Sequence, residues 1–193
     1  MTKTEYYCAM SLDGFIAESD DTLDWLTKYD GKFEGDGAEP MKGAYDRWFD
    51  GVGAIVMGSA TYEWILRYLE GTGNEWMYQG TPTWVLSSRD LPLAEGEGVD
   101  VRIVDAKVTD LYDEMIAAAG ERKLWVCGGG NVASQFADAG LLDELLVTVV
   151  PGVLGEGKPR FDRRLPAGPR QLTGTRTYDS GMVELRYDLA RGE

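Results

Sequence analysis

With 193 residues, 44% of them hydrophobic and 27% charged, the chain carries enough apolar material for one domain with a sizeable core, so disorder is not expected. A formal net charge of −14 repels the phosphates of nucleic acids and anionic membranes, so neither is an expected partner, although a few local donors suffice for a small anionic ligand. Without histidine and with only two cysteines, Ser-His triads and histidine acid catalysis are excluded and a zinc site is starved of ligands.

Tyr6 to Met10 is an apolar run closed by the turn Ser11-Leu12-Asp13-Gly14, which predicts a first strand and a loop. Met1 to Glu5 lead into it without a signal pattern, and no window is apolar for long enough to span a bilayer, so a cytoplasmic protein is expected. After a Gly- and Asp-rich loop ending at Pro40, Met41, Ala44, Tyr45, Trp48 and Phe49 recur at helical spacing. Gly53 to Gly58 reads as a buried strand. Ser59 is placed to cap the helix that follows through Tyr62, Ile65, Leu66 and Leu69, with Glu63 completing the capping pattern. Residues 70–80 form a polar, glycine-containing connection.

Thr83 to Leu86 and Val101 to Val104 are two further strands around a turn-rich segment, and Leu111 to Ala119 is an amphipathic helix ended by Gly120. Leu124 to Cys127 is again a buried strand, followed by glycines and a helical pattern from Val132 to Ala139. Leu145 to Val150 is a β-branched strand stopped by Pro151. Gln171 to Tyr178 and Met182 to Leu189 alternate around Asp179-Ser180-Gly181, a hairpin signature. Alternating strands and helices predict an α/β fold: a largely parallel sheet covered by helices on both faces, with an antiparallel edge from the hairpin. No repeat, low-complexity tract or linker divides the chain, so residues 1–193 are read as one domain. Cys8 and Cys127 lie inside strand-like runs and read as buried, inert thiols rather than a redox pair.

The sharpest local signal is Val126-Cys127-Gly128-Gly129-Gly130-Asn131-Val132-Ala133, where a strand enters three glycines and a helix leaves them. Lacking Cβ atoms, such a turn lets a diphosphate reach backbone N–H groups at a helix start, and Gly128, Gly130 and Ala133 fit a dinucleotide fingerprint. The fingerprint sits late in the chain, and no carboxylate follows at the ribose-binding distance; a tight turn without a ligand fits it equally well alone. Two other strand ends add weight. Met57-Gly58-Ser59-Ala60-Thr61 opens a second helix, and Leu86-Ser87-Ser88-Arg89 ends a strand with two hydroxyls and a guanidinium. That set suits a phosphate monoester such as the 2′-phosphate of NADPH; the alternative is a capped turn with Arg89 paired to Asp90.

These blocks resemble the dihydrofolate reductase-like superfamily, joined by Ser11 to Ala17, Asp24-Trp25-Leu26, Thr61-Tyr62-Glu63 and Leu142-Asp143-Glu144-Leu145. With Pro151 to Phe161, the chain is most similar to the branch holding the C-terminal reductase domain of the bifunctional riboflavin-biosynthesis protein. The resemblance implies NADPH as hydride donor. It puts Gly128, Gly129, Gly130, Asn131 and Val132 at the diphosphate, and Gly58, Ser59 and Thr61 with Leu86, Ser87, Ser88 and Arg89 at the adenosine and its phosphate. Ala9, Ile16 and Ala17 would line the nicotinamide, under a flap from Ser11 to Trp25. Phosphoribosyl-pyrimidine reductases of this branch often carry a basic residue where this chain has Phe15, a departure from phosphorylated-sugar binding. The zinc deaminase partner is absent with its ligands. Asp30 lies near the offset from Trp25 at which dihydrofolate reductases place a buried carboxylate, and Arg67 is a loose counterpart of their folate-tail arginine. Homodimers are common in this group, which makes Leu145 to Val150 a contact by analogy.

The activity implied is hydride transfer to a C=N or C=O bond of a small heterocycle, pterin-, pyrimidine- or flavin-like, with positioning doing most of the work. The proton is expected from Asp30, Asp24 or a water they orient; each aspartate also reads as a solvated loop or cap residue. Trp25, inside the flap, is the tryptophan with a motif-based reason to meet a ligand. Lys158, Arg160, Arg163 and Arg164 form a basic cluster that is either a solvated loop or a receiver of an anionic substrate group. The competing class is a non-catalytic member that keeps the fold and the nucleotide.

Overall fold

A computed structural model describes residues 2–27, 41–165, 170–178 and 180–189. Runs of β-branched and aromatic residues bounded by turn residues become strands. In chain order they are β1 (Thr4–Met10), β2 (Phe15–Ala17), β3 (Val52–Gly58), β4 (Thr83–Leu86), β5 (Val101–Val104), β6 (Lys123–Gly128), β7 (Glu144–Val149), β8 (Lys158–Pro159), β9 (Gln171–Thr177) and β10 (Val183–Asp188). The segments with apolar residues every three or four positions become α1 (Asp24–Thr27), α2 (Met41–Phe49), α3 (Ser59–Thr72), α4 (Val108–Ala119) and α5 (Gly130–Asp138).

Eight strands form one sheet in the order β5-β4-β3-β6-β1-β7-β10-β9. All pairs from β5 to β7 are parallel, whereas β10 joins β7 and β9 antiparallel as the C-terminal hairpin. The fold class expected from strand–helix alternation is the one observed. Parallel pairing puts the carboxyl ends of six strands, β1 and β3 to β7, on one edge, where ligands bind in open α/β sheets.

Both faces are covered. On one, Tyr6, Ala54, Val56, Trp84 and Val126 pack against α4 and α5 through Val108, Met115, Ala119, Val132 and Phe136. On the other, Tyr7, Ile55, Met57, Val85 and Trp125 meet Tyr62 and Ile65 of α3 and Tyr45, Trp48 and Phe49 of α2. Each fully buried large apolar side chain contributes about 1.5–3 kcal/mol. Among the described residues no helix is long and apolar enough to cross a membrane.

Several local expectations change. Gly58, not Ser59, holds the cap position of α3, extended and without a side-chain cap bond. The reason is that Gly58 is still paired with Leu86 in the sheet, so strand passes into helix with no residue between. Residues 70–80 are not simply a polar connection: α3 continues to Thr72, and Trp76 and Tyr78 are buried against Tyr62 and Trp125. The flap contains order of its own, with β2 paired to β8 and Trp25 buried on α1.

Burial pushes the thiols of Cys8 and Cys127 up, to about 11 and about 12, and Tyr78 Oη lies 3.9 Å from Cys127 Sγ. These raised values stabilise the fold fully below pH ~9, where free thiols begin to ionise, and the contribution is lost as pH rises toward the folded values. Thermal midpoints should therefore fall above pH ~9. A thiol reagent at pH ~8 should label neither cysteine until denaturant is added; rapid labelling of the native protein would refute the burial argument.

Candidate active site

The candidate site grows from the register of three strands. Leu86 of β4 pairs with Gly58 of β3, and Met57 pairs with Gly128 of β6, so the turns leaving these strands are neighbours. Helices α3 and α5 start from two of them, so their first-turn N–H groups and positive dipole ends face the same edge. Contact between the turns is close: a Cβ on Gly58 would stand 3.3 Å from Val132, and one on Gly128 would stand 3.1 Å from the Thr61 hydroxyl.

The three consecutive glycines answer different needs. Gly128, at φ +159°, is crowded by Thr61. Gly130 is pressed by another segment, since its Cβ would stand 2.5 Å from the Pro159 carbonyl and 3.1 Å from that of Arg160. At Gly129 a Cβ would meet nothing within 4 Å. The Gly128–Gly129 peptide is cis. Only at Gly129, therefore, is the backbone bare toward open space, the approach a diphosphate needs. The residues present fit a nucleotide at this edge.

Side chains at the strand ends are engaged differently from expectation. Ser87 Oγ accepts from the Arg89 backbone N–H at 2.9 Å, forming the turn. Arg89 pairs with Glu63 of α3 through two bonds of 3.0 and 2.6 Å rather than with Asp90, because β4 ends beside the start of α3. Glu63 is thereby taken from the helix-capping role. The amide of Asn131 is also occupied, donating to Asp162 at 2.6 Å and accepting from Gln135 at 2.8 Å, which leaves its backbone N–H at the helix start. Bonds from Arg163 first, and from Asn131 and Ser134, hold the Asp162 carboxyl well below the usual carboxylate range.

The flap is latched to the chain after β7. Ser11 Oγ donates to Asp13 at 2.6 Å, and Asp13 accepts from the N–H groups of Leu154 and Gly155 at 3.2 and 2.7 Å. Ile16 and Ala17 lie in β2 beside this latch, each partly buried. Trp25 packs with Ala44, Val150, Tyr178 and Met182, and Ala9 packs against the same cluster. The Trp25 indole N–H is buried and has no acceptor among the described residues. Asp24 is exposed, and Asp30 lies outside the described residues.

One polar row escaped sequence reasoning. Ala9, Thr148 and Glu184 stand side by side across β1, β7 and β10, with Arg176 next on β9. Tyr7 Oη lies 3.4 Å from Thr148 Oγ1, and Tyr178 Oη donates to Glu184 at 3.3 Å. Alternation along the two C-terminal runs shows which residues share a face within each strand. It does not show that β10 pairs with β7.

The family model described as the RibD C-terminal domain matches residues 70–183. The chain belongs to the RibD C-terminal domain family. The protein YwjB of Bacillus subtilis is 28% identical over 191 residues, covering 96% of this chain and 97% of that one. A solved Shewanella sp. PV-4 protein, described as a candidate riboflavin biosynthesis protein, superposes with a TM-score of 0.77 at 24% identity, over 97% of this chain and 98% of its own. Dihydrofolate reductase from Enterococcus faecalis, solved with NADP(H), shares the fold at a TM-score of 0.55 and 19% identity, over 96% and 95% of the two chains. The RibD C-terminal match takes in the Leu86–Arg89 turn, the glycine turn and the 151–161 segment, while the flap and the Gly58–Thr61 turn precede it.

Proposed function

We propose that the chain is an NADPH-dependent reductase that transfers hydride to a C=N or C=O bond of a small pterin-, pyrimidine- or flavin-like heterocycle. The observation that carries this reading is the meeting of three turns and two helix starts at one sheet edge around the open backbone of Gly129. NADPH supplies the hydride when bound. The N–H groups of Gly129 to Val132 would hold its diphosphate. Gly58, Ser59 and Thr61, with Leu86 to Arg89, would hold the adenosine and its 2′-phosphate. Arg89 faces Glu63 across an exposed ion pair, and exposed pairs are weak enough for a phosphate to exchange for the carboxylate.

Ala9, Ile16 and Ala17 would bound the reacting ring, with Trp25 closing the site from the flap and excluding water. The buried Trp25 N–H supports that role, because a heterocycle carbonyl or ring nitrogen would satisfy it. Proton delivery falls to Asp30 or to Asp24, whose exposure suits a water-mediated route. The assembly proposed is a homodimer, which sedimentation would test.

Tryptophan fluorescence should be quenched by NADPH at concentrations at least about tenfold below those needed with NADH, because a phosphate monoester adds charge-assisted hydrogen bonds. Oxidation of NADPH should then be followed against a panel of dihydropterins and aminouracils. Absence of quenching by either nucleotide would refute the reading, and quenching without turnover of any panel member would favour a non-catalytic nucleotide binder.

A further inference from the structure

Four basic residues, Lys158, Arg160, Arg163 and Arg164, crowd into seven positions of an otherwise acidic chain, and the structure sorts them. Lys158 lies 3.6 Å from Asp21, Arg163 pairs with Asp162 at 2.8 Å and Asp138 at 3.2 Å, and Arg164 is exposed. Arg160 differs from all three. It is partly buried, and among the described residues it pairs with no carboxylate. One terminal nitrogen donates to Met10 Sδ at 3.1 Å, its guanidinium carbon stands 5.5 Å from the Phe161 ring centroid, and its Nε is buried without any acceptor. A thioether is a weak acceptor and a ring face a weak one, so among the described residues the guanidinium has no strong partner and its buried Nε has none. With 33 acidic residues against 19 basic ones, carboxylates are plentiful, and an arginine that meets none of them among the described residues is available for another anion.

Its position says where that anion comes from. The Pro159 and Arg160 carbonyls lie against Gly130 at the start of α5, and Tyr6 Oη anchors the Arg160 carbonyl at 3.1 Å. Met10 is the last residue of β1, so the guanidinium reaches the carboxyl end of the central strands, while β8 pairs with β2 of the flap. The helix start and the guanidinium thus lie at the same sheet edge, beside the flap, and both favour an anion there.

We propose that Arg160 is the anion-recognition residue of this site, its guanidinium binding a phosphate oxyanion of the ligand that enters between the flap and α5. This deepens the nucleotide reading above and rests on it for the identity of the site. The phosphate has two sources, the diphosphate of the dinucleotide or a phosphate carried by the substrate. Planar, bidentate contact with a phosphate is what a guanidinium provides and a thioether neighbour does not satisfy.

The test compares the wild-type protein with Arg160→Met, which keeps length without charge, and Arg160→Lys, which keeps charge without the planar fork. Four probes are titrated at low salt: NADPH and NADH by tryptophan quenching, pyrophosphate and ribose 5-phosphate by calorimetry. Arg160→Met should weaken phosphate binding about 10- to 100-fold, Arg160→Lys should recover part of it, and the ligand-free thermal midpoint of Arg160→Met should not fall, since an uncompensated buried donor has been removed. Joint weakening of NADPH, NADH and pyrophosphate identifies the dinucleotide as the source, whereas weakening confined to ribose 5-phosphate identifies a substrate phosphate. If wild type binds pyrophosphate or ribose 5-phosphate through Arg160 but takes up neither nucleotide, the nucleotide reading fails and the anion role stands. Equal affinities of wild type and Arg160→Met for every probe, with or without a change in melting, overturn the proposal, as does a wild-type protein that binds none of the four.

Discussion

Gly129→Ala should melt within a few degrees of the wild-type protein yet bind NADPH at least about tenfold more weakly, a loss of ~1.4 kcal/mol. Gly130→Ala, one residue on, should do the reverse and melt markedly lower. At Gly129 the backbone is extended, with φ −83° and ψ −176°, which any residue adopts, and a new Cβ meets nothing within 4 Å. What the methyl group takes away is the bare surface on which a diphosphate would reach the N–H groups of the helix start. At Gly130 the same methyl group would stand 2.5 Å from the Pro159 carbonyl, a backbone atom that cannot turn aside. The segment carrying β8 and Arg160 must shift bodily. Overpacking costs about 1–3 kcal/mol, and against backbone the upper end applies. In a chain of this length that lowers the midpoint by roughly 5–10 °C. Differential scanning and fluorescence titration on the two variants check both halves. Undiminished NADPH binding by Gly129→Ala would move the diphosphate away from this turn, and an unchanged midpoint for Gly130→Ala would mean that the 159–160 backbone does not lean on α5.

The contrast between these neighbouring glycines also marks how far the sequence could be read. The triplet, its entering strand and its leaving helix are local features, and so are the β3–α3 turn and the β9–β10 hairpin; all were legible from run length and turn chemistry. Which glycine faces open space and which faces Pro159 depends on a contact 29 residues away, and no local pattern encodes it. The same holds for Arg89. Its sequence neighbour Asp90 was the natural partner, but the parallel pairing of β3 and β4 brings Glu63 of α3 to it instead. β2 and β8 were missed because strands of three and two residues carry no periodicity; their pairing is fixed by the Ser11–Asp13 latch onto 154–155. Trp76 and Tyr78 sat in a stretch whose composition is polar, and only the aromatic cluster around Trp125 explains their burial.

Glu5 is the residue whose loss should cost most. It lies in β1 with no exposed surface, in a position that alternation alone assigns to an apolar side chain. Three donors converge on it from separate elements: Trp48 Nε1 of α2, Lys123 Nζ of β6 at 3.2 Å, and Arg186 of β10. Arg186 also donates to Glu144 at 2.7 Å, and Lys123 lies 4.8 Å over the Trp48 ring. Glu5→Ala removes the acceptor shared by all three and leaves two cations and an indole N–H facing a partly desolvated gap. Breaking a buried pair from one side costs about 3–5 kcal/mol; here Lys123 and the Trp48 indole lose their acceptor, while Arg186 falls back on Glu144 alone. The expected fall in thermal midpoint is roughly 10 °C or more at this chain length. Glu5→Gln keeps an oxygen for the indole N–H but not the charge, and should fall between. The network sits at the amino end of β1 and the candidate site at the carboxyl end, so NADPH affinity measured well below the lowered midpoint should change little. α2 is the link to watch. Trp48 anchors it to Glu5 while Ala44 packs beside Trp25, so a Glu5→Ala protein that melts normally but binds nucleotide poorly would show the carboxylate acting on the site through the helix rather than holding the sheet together.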